Sequence, residues 1–465
     1  MNIVTIGAGF VGSTHSAVLA SFGHRVLAYD LNKERIADLA SRVPERIDAC
    51  IYEPGLSNLI KTHENLQFTA DLTELYALSD TIDVIFLCLP TPAHELTLPD
   101  EQQHLFIAAK TIAVIIKKRN NGEQTKRIVI VNKSTVPIGT AEKLKIKFTE
   151  WGVRNFGIGS NPEFLVEGKA VQGSKNPDRI VLGVENEQDG IAMREVYSPF
   201  GDNKMILVCP SDAEAIKLLA NFELFSTVVR TYQVMGRLCE FVPGLSFENV
   251  MRGVTSDARI PKWGHFTSLY SGGSCFEKDA KNLLHTVSQY SGFTPTTEFI
   301  KLVIAGNDQQ LEHFYNRAKN EAHFSFTGKT VALLGTAFKQ DTNDVRLSPA
   351  LVLAEWLCRD GIKTIHVYDP QAAENFRKSF TGKPQEKHIT VCSSVVEALN
   401  GTDAAIIATD WPEFKLIAPL FTMKPPYLLL DGRRSLAQHY EELHGKGLSI
   451  LAVGSPYMGT AFRSL

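Results

Sequence analysis

The fold is decided by Asn2-Ile3-Val4-Thr5-Ile6-Gly7-Ala8-Gly9-Phe10-Val11-Gly12, a short apolar run that opens into a glycine-spaced turn. The run predicts a strand, and the apolar stretch continuing to Ala20 predicts a helix. Gly7 makes the tight turn, Gly9 lets a pyrophosphate approach the backbone, and Gly12 lets the helix pack on the strand. Val11 lies in the first helical turn, at the helix end that holds phosphates. A second strand, Arg25–Tyr29, ends in Asp30, 18 residues after Gly12, where a carboxylate binds ribose hydroxyls. Such a carboxylate repels a 2′-phosphate, so NAD rather than NADP is the expected cofactor. Glycine spacing alone is weak evidence; the strand before, the helix after and the acid at the next strand end make it specific.

Outward from this unit, strands are expected at 83–89, 127–131 and 156–159, with a helix over 100–118. Repeated β-α alternation predicts a parallel, doubly wound sheet, whose functional edge lies at the carboxyl ends of its strands. That edge receives Leu89-Pro90-Thr91-Pro92, Lys133-Ser134-Thr135-Val136-Pro137-Ile138-Gly139-Thr140 and Asn161-Pro162-Glu163-Phe164-Leu165-Val166-Glu167-Gly168. Prolines and hydroxyls after strands are also ordinary turn chemistry, and Pro90 and Pro92 fit that role. From 212 to about 318 helical periodicity takes over, with a long amphipathic run over 213–237. Lys217 and Asn221 share one face of it, which is either a solvated face or part of a site. A helical segment between two α/β domains is also a natural dimer surface.

A second set of strands follows at 329–334, 364–368, 404–408, 427–430 and 448–453, with a helix over 349–358. Its first loop, Gly335-Thr336-Ala337-Phe338-Lys339, lacks the second and third glycines of a dinucleotide fingerprint, which points to a different phosphate-bearing ligand. Arg346 is either a fork for phosphate or carboxylate or a surface ion-pair partner. In Ser271-Gly272-Gly273-Ser274-Cys275-Phe276-Glu277-Lys278-Asp279, the two glycines let backbone approach a ligand closely. A helix beginning near Ser274 puts Cys275 and Asp279 at i,i+4, with the thiol near the positive helix end, which favours thiolate. Lys278 adds to that effect and Asp279 opposes it. The alternative is a small buried thiol packed behind a loop.

Bulk properties narrow the classes. A chain of 465 residues with 44% hydrophobic and 21% charged residues is expected to form two or three globular domains. A net charge of −3 recommends neither nucleic acid nor an anionic membrane as partner. The seven cysteines are scattered without CxxC or metal-ligand pairing, so no metal site is expected and a reducing compartment is. The chain opens on a strand and has no apolar run of about 18 residues, so no membrane association and a cytoplasmic location are expected.

Ten landmarks in order carry a resemblance: Gly7–Gly12, Pro90–Pro92, Ser134–Pro137, Asn161–Gly168, Glu214 to Asn221, Gly272–Asp279, Phe338 to Pro349, Tyr368-Asp369-Pro370, Thr409-Asp410-Trp411 with Phe414, and Asp431-Gly432-Arg433. Over essentially its whole length the chain resembles the UDP-glucose 6-dehydrogenases of the UDP-glucose/GDP-mannose dehydrogenase family. The resemblance implies an α/β fold of two Rossmann-like doubly wound domains joined by a central helical dimerisation segment. Its domains are expected at 1–210 (NAD), 211–320 (helical, dimer-forming) and 321–465 (nucleotide sugar). It implies a homodimer that oxidises UDP-glucose at C6 with two NAD, through a covalent thioester. By position, Cys275 resembles the nucleophile, and Lys217 and Asp279 the pair that handles the alcohol proton and oxyanion. Asn221 and Thr135 resemble residues that hold the reacting oxygen or a water, and Glu163 the carboxylate that assists thioester hydrolysis. Arg35, Thr91, Thr135, Glu167, Lys278 and Arg346 fall at cofactor positions. Glu163, Phe164, Leu165, Glu167, Lys217, Asn221, Gly272, Gly273 and Lys339 fall at substrate positions.

The chain also departs from the family. Glu277 replaces the usual Pro, Gln233-Val234 replaces Asn-Glu, and no Glu follows Arg346. The family's glycine-rich approach to the cysteine reads Pro261-Lys262-Trp263-Gly264-His265-Phe266-Thr267-Ser268-Leu269-Tyr270-Ser271 here, and bulk in that loop bears on the choice of sugar. Asn161-Pro162-Glu163-Phe164 favours UDP-glucose over N-acetylated sugars, and Cys275-Phe276 favours it over GDP-mannose. A two-electron hydroxyacid dehydrogenase would have no use for Cys275 or a second α/β domain. A non-catalytic nucleotide-sugar-binding paralogue would have no reason to hold Cys275, Lys217, Asn221, Asp279 and Glu163 together.

Overall fold

Fourteen strands among the described residues divide into two sheets. The structure, a computed structural model, describes residues 1–117, 126–273, 275–289 and 294–459. The chain forms two compact units, Met1–Ala220 with Lys278–Phe293, and Asn221–Glu277 with Thr294–Leu465.

In the first unit the strands are β1 (Asn2–Ile6), β2 (Arg25–Tyr29), β3 (Leu66–Thr69), β4 (Val84–Leu87), β5 (Ile128–Asn132), β6 (Phe156–Ser160), β7 (Ile180–Gly183) and β8 (Met205–Val208). Their order is β3-β2-β1-β4-β5-β6-β7-β8. From β3 to β6 all neighbours are parallel, in the 3-2-1-4-5-6 order of a doubly wound nucleotide-binding sheet. Strands β4 and β5 are buried throughout, as parallel strands covered on both faces must be. This is the parallel, doubly wound sheet expected from the sequence. Beyond it β6 meets β7 antiparallel, through the single pair Ser160 and Gly183, and β7 pairs parallel with β8. Strands β3, β7 and β8, of four residues each, are additions to the strands expected from the sequence.

The second unit holds β9 (Thr330–Leu334), β10 (Thr364–Tyr368), β11 (Ile389–Val391), β12 (Ala404–Ile407), β13 (Tyr427–Asp431) and β14 (Leu448–Ala452). All are parallel, in the order β11-β10-β9-β12-β13-β14, so the same winding occurs twice in the chain.

Both sheets also turn the chain in the same way at the crevice. Gly7 has φ +98° and donates its N–H to Tyr29 O at 2.8 Å. Gly335 has φ +88° and donates to Tyr368 O at 2.8 Å. Both conformations are open to glycine and strained for other residues. The acid following each tyrosine then closes the loop: Asp30 Oδ2 accepts from Ala8 N at 2.8 Å, and Asp369 Oδ2 from Thr336 N at 2.6 Å and Ala337 N at 3.0 Å. Asp369 also accepts from Gln371 N (2.9 Å), Ala372 N (2.7 Å) and Trp411 Nε1 (3.0 Å).

The long helix expected over 213–237 is α-helical over Pro210–Arg230 and then widens to a π-helical segment, Thr231–Gly236, before Arg237–Phe241. Side chains that leave the ladder account for this. The Thr231 hydroxyl donates to Thr227 O at 2.8 Å, Tyr232 OH bonds Asn307, and Gln233 Nε2 donates to Gly306 O at 2.5 Å. The helix expected over 100–118 begins as a short 3₁₀ turn, Asp100–Gln102, and is α-helical over His104–Lys117; residue 118 lies outside the described residues. Among the described residues, no helix is long and apolar enough to cross a membrane.

Asp369→Ala leaves several buried N–H groups without their acceptor and is expected to lower stability by about 2–4 kcal/mol. Urea unfolding followed by tryptophan fluorescence checks this.

Candidate active site

The first unit provides a cradle for a dinucleotide. The helix Phe10–Ser21 starts at Gly9 with no side chain capping it and no acid in its first turn, so its leading N–H groups face outward. A Cβ on Gly9 would meet nothing within 4 Å, whereas one on Gly12 would lie 1.8 Å from Gly7 O. Space is therefore kept above Gly9, and contact below Gly12 requires glycine. Asp30 is fixed at the strand end by Ala8 N, by Asn32 N at 2.8 Å and by Arg35 Nη1 at 3.1 Å. Unsatisfied N–H groups for phosphate and a fixed acid for ribose are what NAD needs. Thr91 links the next two loops: its hydroxyl donates to Thr135 O at 2.7 Å and accepts from Lys278 Nζ at 3.3 Å. Lys278 in turn pairs with Asp279 at 3.0 Å.

The loop after β6 carries the strongest electrostatics. Lys217, from the helix Pro210–Arg230, donates Nζ to Glu163 Oε1 at 3.1 Å, and Leu165 N donates to Glu163 Oε2 at 2.6 Å. Only 5% of the Lys217 side chain and 12% of the Glu163 side chain are exposed. Burial pushes the Glu163 carboxyl upward, but Lys217, the Leu165 N–H and Lys133 outweigh it and hold the group below the usual range. The Phe164 ring lies between cations, with Arg179 at 3.8 Å and Lys217 at 5.3 Å from its centroid. Glu214, one turn before Lys217, accepts from Gly139 N (2.7 Å) and Ala141 N (2.8 Å) and so caps the helix Thr140–Glu150. Burial pushes its carboxyl up to about 7 against the pull of those bonds. Glu167 stands in the turn closed by Gly168 N on Glu53 at 2.8 Å.

Asn221, Gly272, Gly273, Cys275, Lys339 and Arg346 belong to the second unit. Asn221 is buried, one helical turn beyond Lys217. Cys275 is exposed, unlike the buried Cys239 and Cys392, so the buried-thiol reading does not describe it. It immediately precedes the helix Phe276–Ser288; Ser274, where the helix start is expected from the sequence, lies outside the described residues. A Cβ on Gly272 would fall 2.5 Å from Leu347 O, and one on Gly273 would fall 2.8 Å from the Phe338 ring. What these glycines admit within this unit is the chain itself. Arg346 grips Asp344 through Nε (2.8 Å) and Nη2 (2.5 Å) and is 62% exposed. Lys339 Nζ lies 5.8 Å from the Phe338 ring centroid.

The altered loop before Cys275 is anchored. Tyr270 OH donates to Leu347 O at 2.6 Å, Gln310 Nε2 to Ser268 O at 2.7 Å, and Ser271 N to Asn307 Oδ1 at 2.8 Å. Ser268, Leu269 and Tyr270 are buried, the last two in the hydrophobic core of the second unit. The exposed bulk is Trp263 and Phe266, whose rings meet edge to face.

Comparison with known proteins gives three domain matches. Residues 1–201 match the NAD binding domain of the UDP-glucose/GDP-mannose dehydrogenase family, 211–309 its central domain and 332–438 its UDP binding domain. The chain belongs to this family. It is 33% identical to a UDP-glucose 6-dehydrogenase of Pseudomonas aeruginosa, over 94% of each chain. It is also 33% identical to one of Rhizobium meliloti, over 98% of this chain and 100% of the relative. Among solved structures it is similar to a UDP-glucose dehydrogenase from Pyrobaculum islandicum (TM-score 0.81, 27% identity, 98% of each chain). It shares its fold with a UDP-D-ManNAc dehydrogenase from Pyrococcus horikoshii (TM-score 0.78, 22% identity, 98% of this chain and 99% of that one).

As a member of this family, the enzyme is an NAD-dependent dehydrogenase. Sequence reading did not single out Arg179, which packs on Phe164, or Lys133, which is buried behind Glu163. The only signal for Lys133 is a lysine directly after the apolar run Ile128-Val129-Ile130-Val131. Asp30→Ala is expected to weaken NADH binding about tenfold or more by removing a charged acceptor; a fluorescence titration checks this, with an unchanged melting temperature as the control.

Proposed function

We propose that the enzyme oxidises UDP-glucose at C6 to UDP-glucuronate, consuming two NAD per sugar through a thioester on Cys275. The observation that carries this reading is similarity to UDP-glucose 6-dehydrogenases along nearly the whole chain. Bound NAD takes up the hydride lost from C6 at each oxidation. Asp279 accepts the proton of the C6 hydroxyl, while Lys217 steadies the developing oxyanion. The Cys275 thiolate then adds to the aldehyde carbon, forming a C–S bond and an alkoxide that takes a proton. This thiohemiacetal can lose a second hydride, with its hydroxyl proton passing to Asp279, and become a thioester. Glu163 takes a proton from water as the water oxygen attacks the thioester carbonyl; the C–S bond breaks, restoring thiolate, and the acid so formed gives its proton to solvent, leaving the carboxylate. Asn221 and Thr135 hold the reacting oxygen or the water. The Lys217–Glu163 pair at 3.1 Å supports shared service to one reacting centre. The same chemistry on another nucleotide sugar, such as GDP-mannose, is the alternative tested by a substrate panel.

The enzyme is also read as a homodimer formed through its central helices. Val234, Leu238 and Phe241 are 60%, 52% and 66% exposed and recur at helical spacing, and Phe299 and Leu302 are 55% and 69% exposed. Large apolar side chains bared in such a row mark an interaction surface.

With UDP-glucose, wild-type enzyme is expected to form about two NADH per sugar, and Cys275→Ser is expected to lose complete turnover to the acid. One NADH per sugar, or wild-type turnover by the serine variant, overturns the thioester route. A panel of UDP- and GDP-sugars followed by NADH absorbance decides the substrate. Leu238→Glu with Phe241→Glu is expected to convert a dimer to a monomer in light-scattering chromatography.

A further inference from the structure

We infer that Lys133 is a positioning residue for Glu163, a second buried cation that holds the Glu163 carboxylate ionised and its loop in register. The catalytic use of Glu163 rests on the function proposed above; the action of Lys133 on Glu163 does not.

Lys133 is the first residue after β5 and is only 6% exposed. Its ammonium donates to Asn161 Oδ1 at 3.1 Å and approaches Asn161 O at 3.4 Å. Among the described residues no carboxylate lies within ion-pair distance of it. Asn161 is fully engaged: Tyr197 OH donates to the same Oδ1, Asn161 Nδ2 donates to Val181 O at 2.8 Å, and its N–H to Asn132 O at 2.8 Å. Asn161 stands two residues before Glu163, with the ring of Pro162 between them, so what fixes Asn161 sets where Glu163 begins.

Burying an ammonium without a carboxylate against it costs several kcal/mol. A neutral donor would tie Asn161 at much less cost, so the charge itself has a use. The groups facing Lys133 come from four other segments: Cys88 after β4, Glu163 after β6, Lys217 on its helix and His15 on the fingerprint helix. Tyr197 reaches it through Asn161. Burial pushes the Cys88 thiol up to about 12 and the Tyr197 phenol well up. Burial, then Lys133, pushes the His15 imidazole down. All three are therefore neutral at pH 7. Glu163 is the one anion in this group. Burial pushes Lys133 itself down to about 8, so it still carries its proton near neutrality.

The test uses full-length Lys133→Met, which keeps the stem without the charge, and Lys133→Gln, which keeps a donor for Asn161. Glu163 is titrated by pH-difference infrared spectroscopy, its carboxyl band identified by loss in Glu163→Gln. Protonation of that band is expected about one pH unit higher in both Lys133 variants, with the acid limb of kcat moving in the same sense and KM values changing little. A band that does not move, or failure of both variants to fold, makes Lys133 a structural tie and overturns the inference. If the band moves while wild-type enzyme forms no NADH from UDP-glucose, the proposed substrate fails and the inference stands.

Discussion

Parallel strands impose the constraint on which both units depend. Where a parallel sheet reverses its winding, the loop leaving the first strand must turn sharply and leaves backbone N–H groups with no ladder partner. This chain meets that demand twice with the same pieces: a left-handed glycine whose N–H returns to a tyrosine carbonyl, and an aspartate after the tyrosine that collects the loop's N–H groups. Tyr29-Asp30 serves Gly7 and Ala8; Tyr368-Asp369 serves Gly335, Thr336 and Ala337.

How much each aspartate collects separates the two crevices. Asp30 takes only Ala8 N from its glycine loop, and the uncapped helix beyond Gly9 keeps its N–H groups for a ligand. Asp369 takes both Thr336 N and Ala337 N and holds Trp411 as well, so the equivalent donors are spent within the fold. The second crevice retains the shape of a nucleotide site without the donors of a pyrophosphate cradle.

Most of this was legible before any coordinates. The fingerprint, its acid and the long apolar strands follow from periodicity and turn chemistry, and β1, β2 and β10 occupy the expected residues. Four short strands escaped: β3, β8 and β11 are partly exposed and form no fully buried run, and β7 has only three apolar residues before its glycine. The π-helical segment also escaped, because it is imposed by hydrogen bonds from Tyr232 and Gln233 to the helix Thr294–Asn320. Within the site, the types of Glu163 and Lys217 were readable but their pairing was not, as 54 residues separate them. Lys133 was invisible for a different reason. It stands in a loop quoted for the functional edge, but its burial leaves no mark in the sequence.

The loop before Cys275 shows why a departure in sequence has to be weighed with its packing. Read as sequence against a glycine-rich approach, Ser268 and Tyr270 look like bulk added to a sugar pocket. Yet both are buried, Tyr270 in the core of its own unit with its hydroxyl tied to Leu347 O, and Leu269 fills space over Gly432, where a Cβ would lie 2.5 Å from its side chain. These residues replace backbone freedom with anchorage, and fix the chain that leads through Gly272 and Gly273 to Cys275. The free bulk is at Trp263 and Phe266, stacked edge to face and nearly half exposed. Two rigid aromatic side chains on an anchored loop offer apolar area at little entropic cost. The bare part of this loop is thus its aromatic pair, and the anchored part is the run that leads into the glycines.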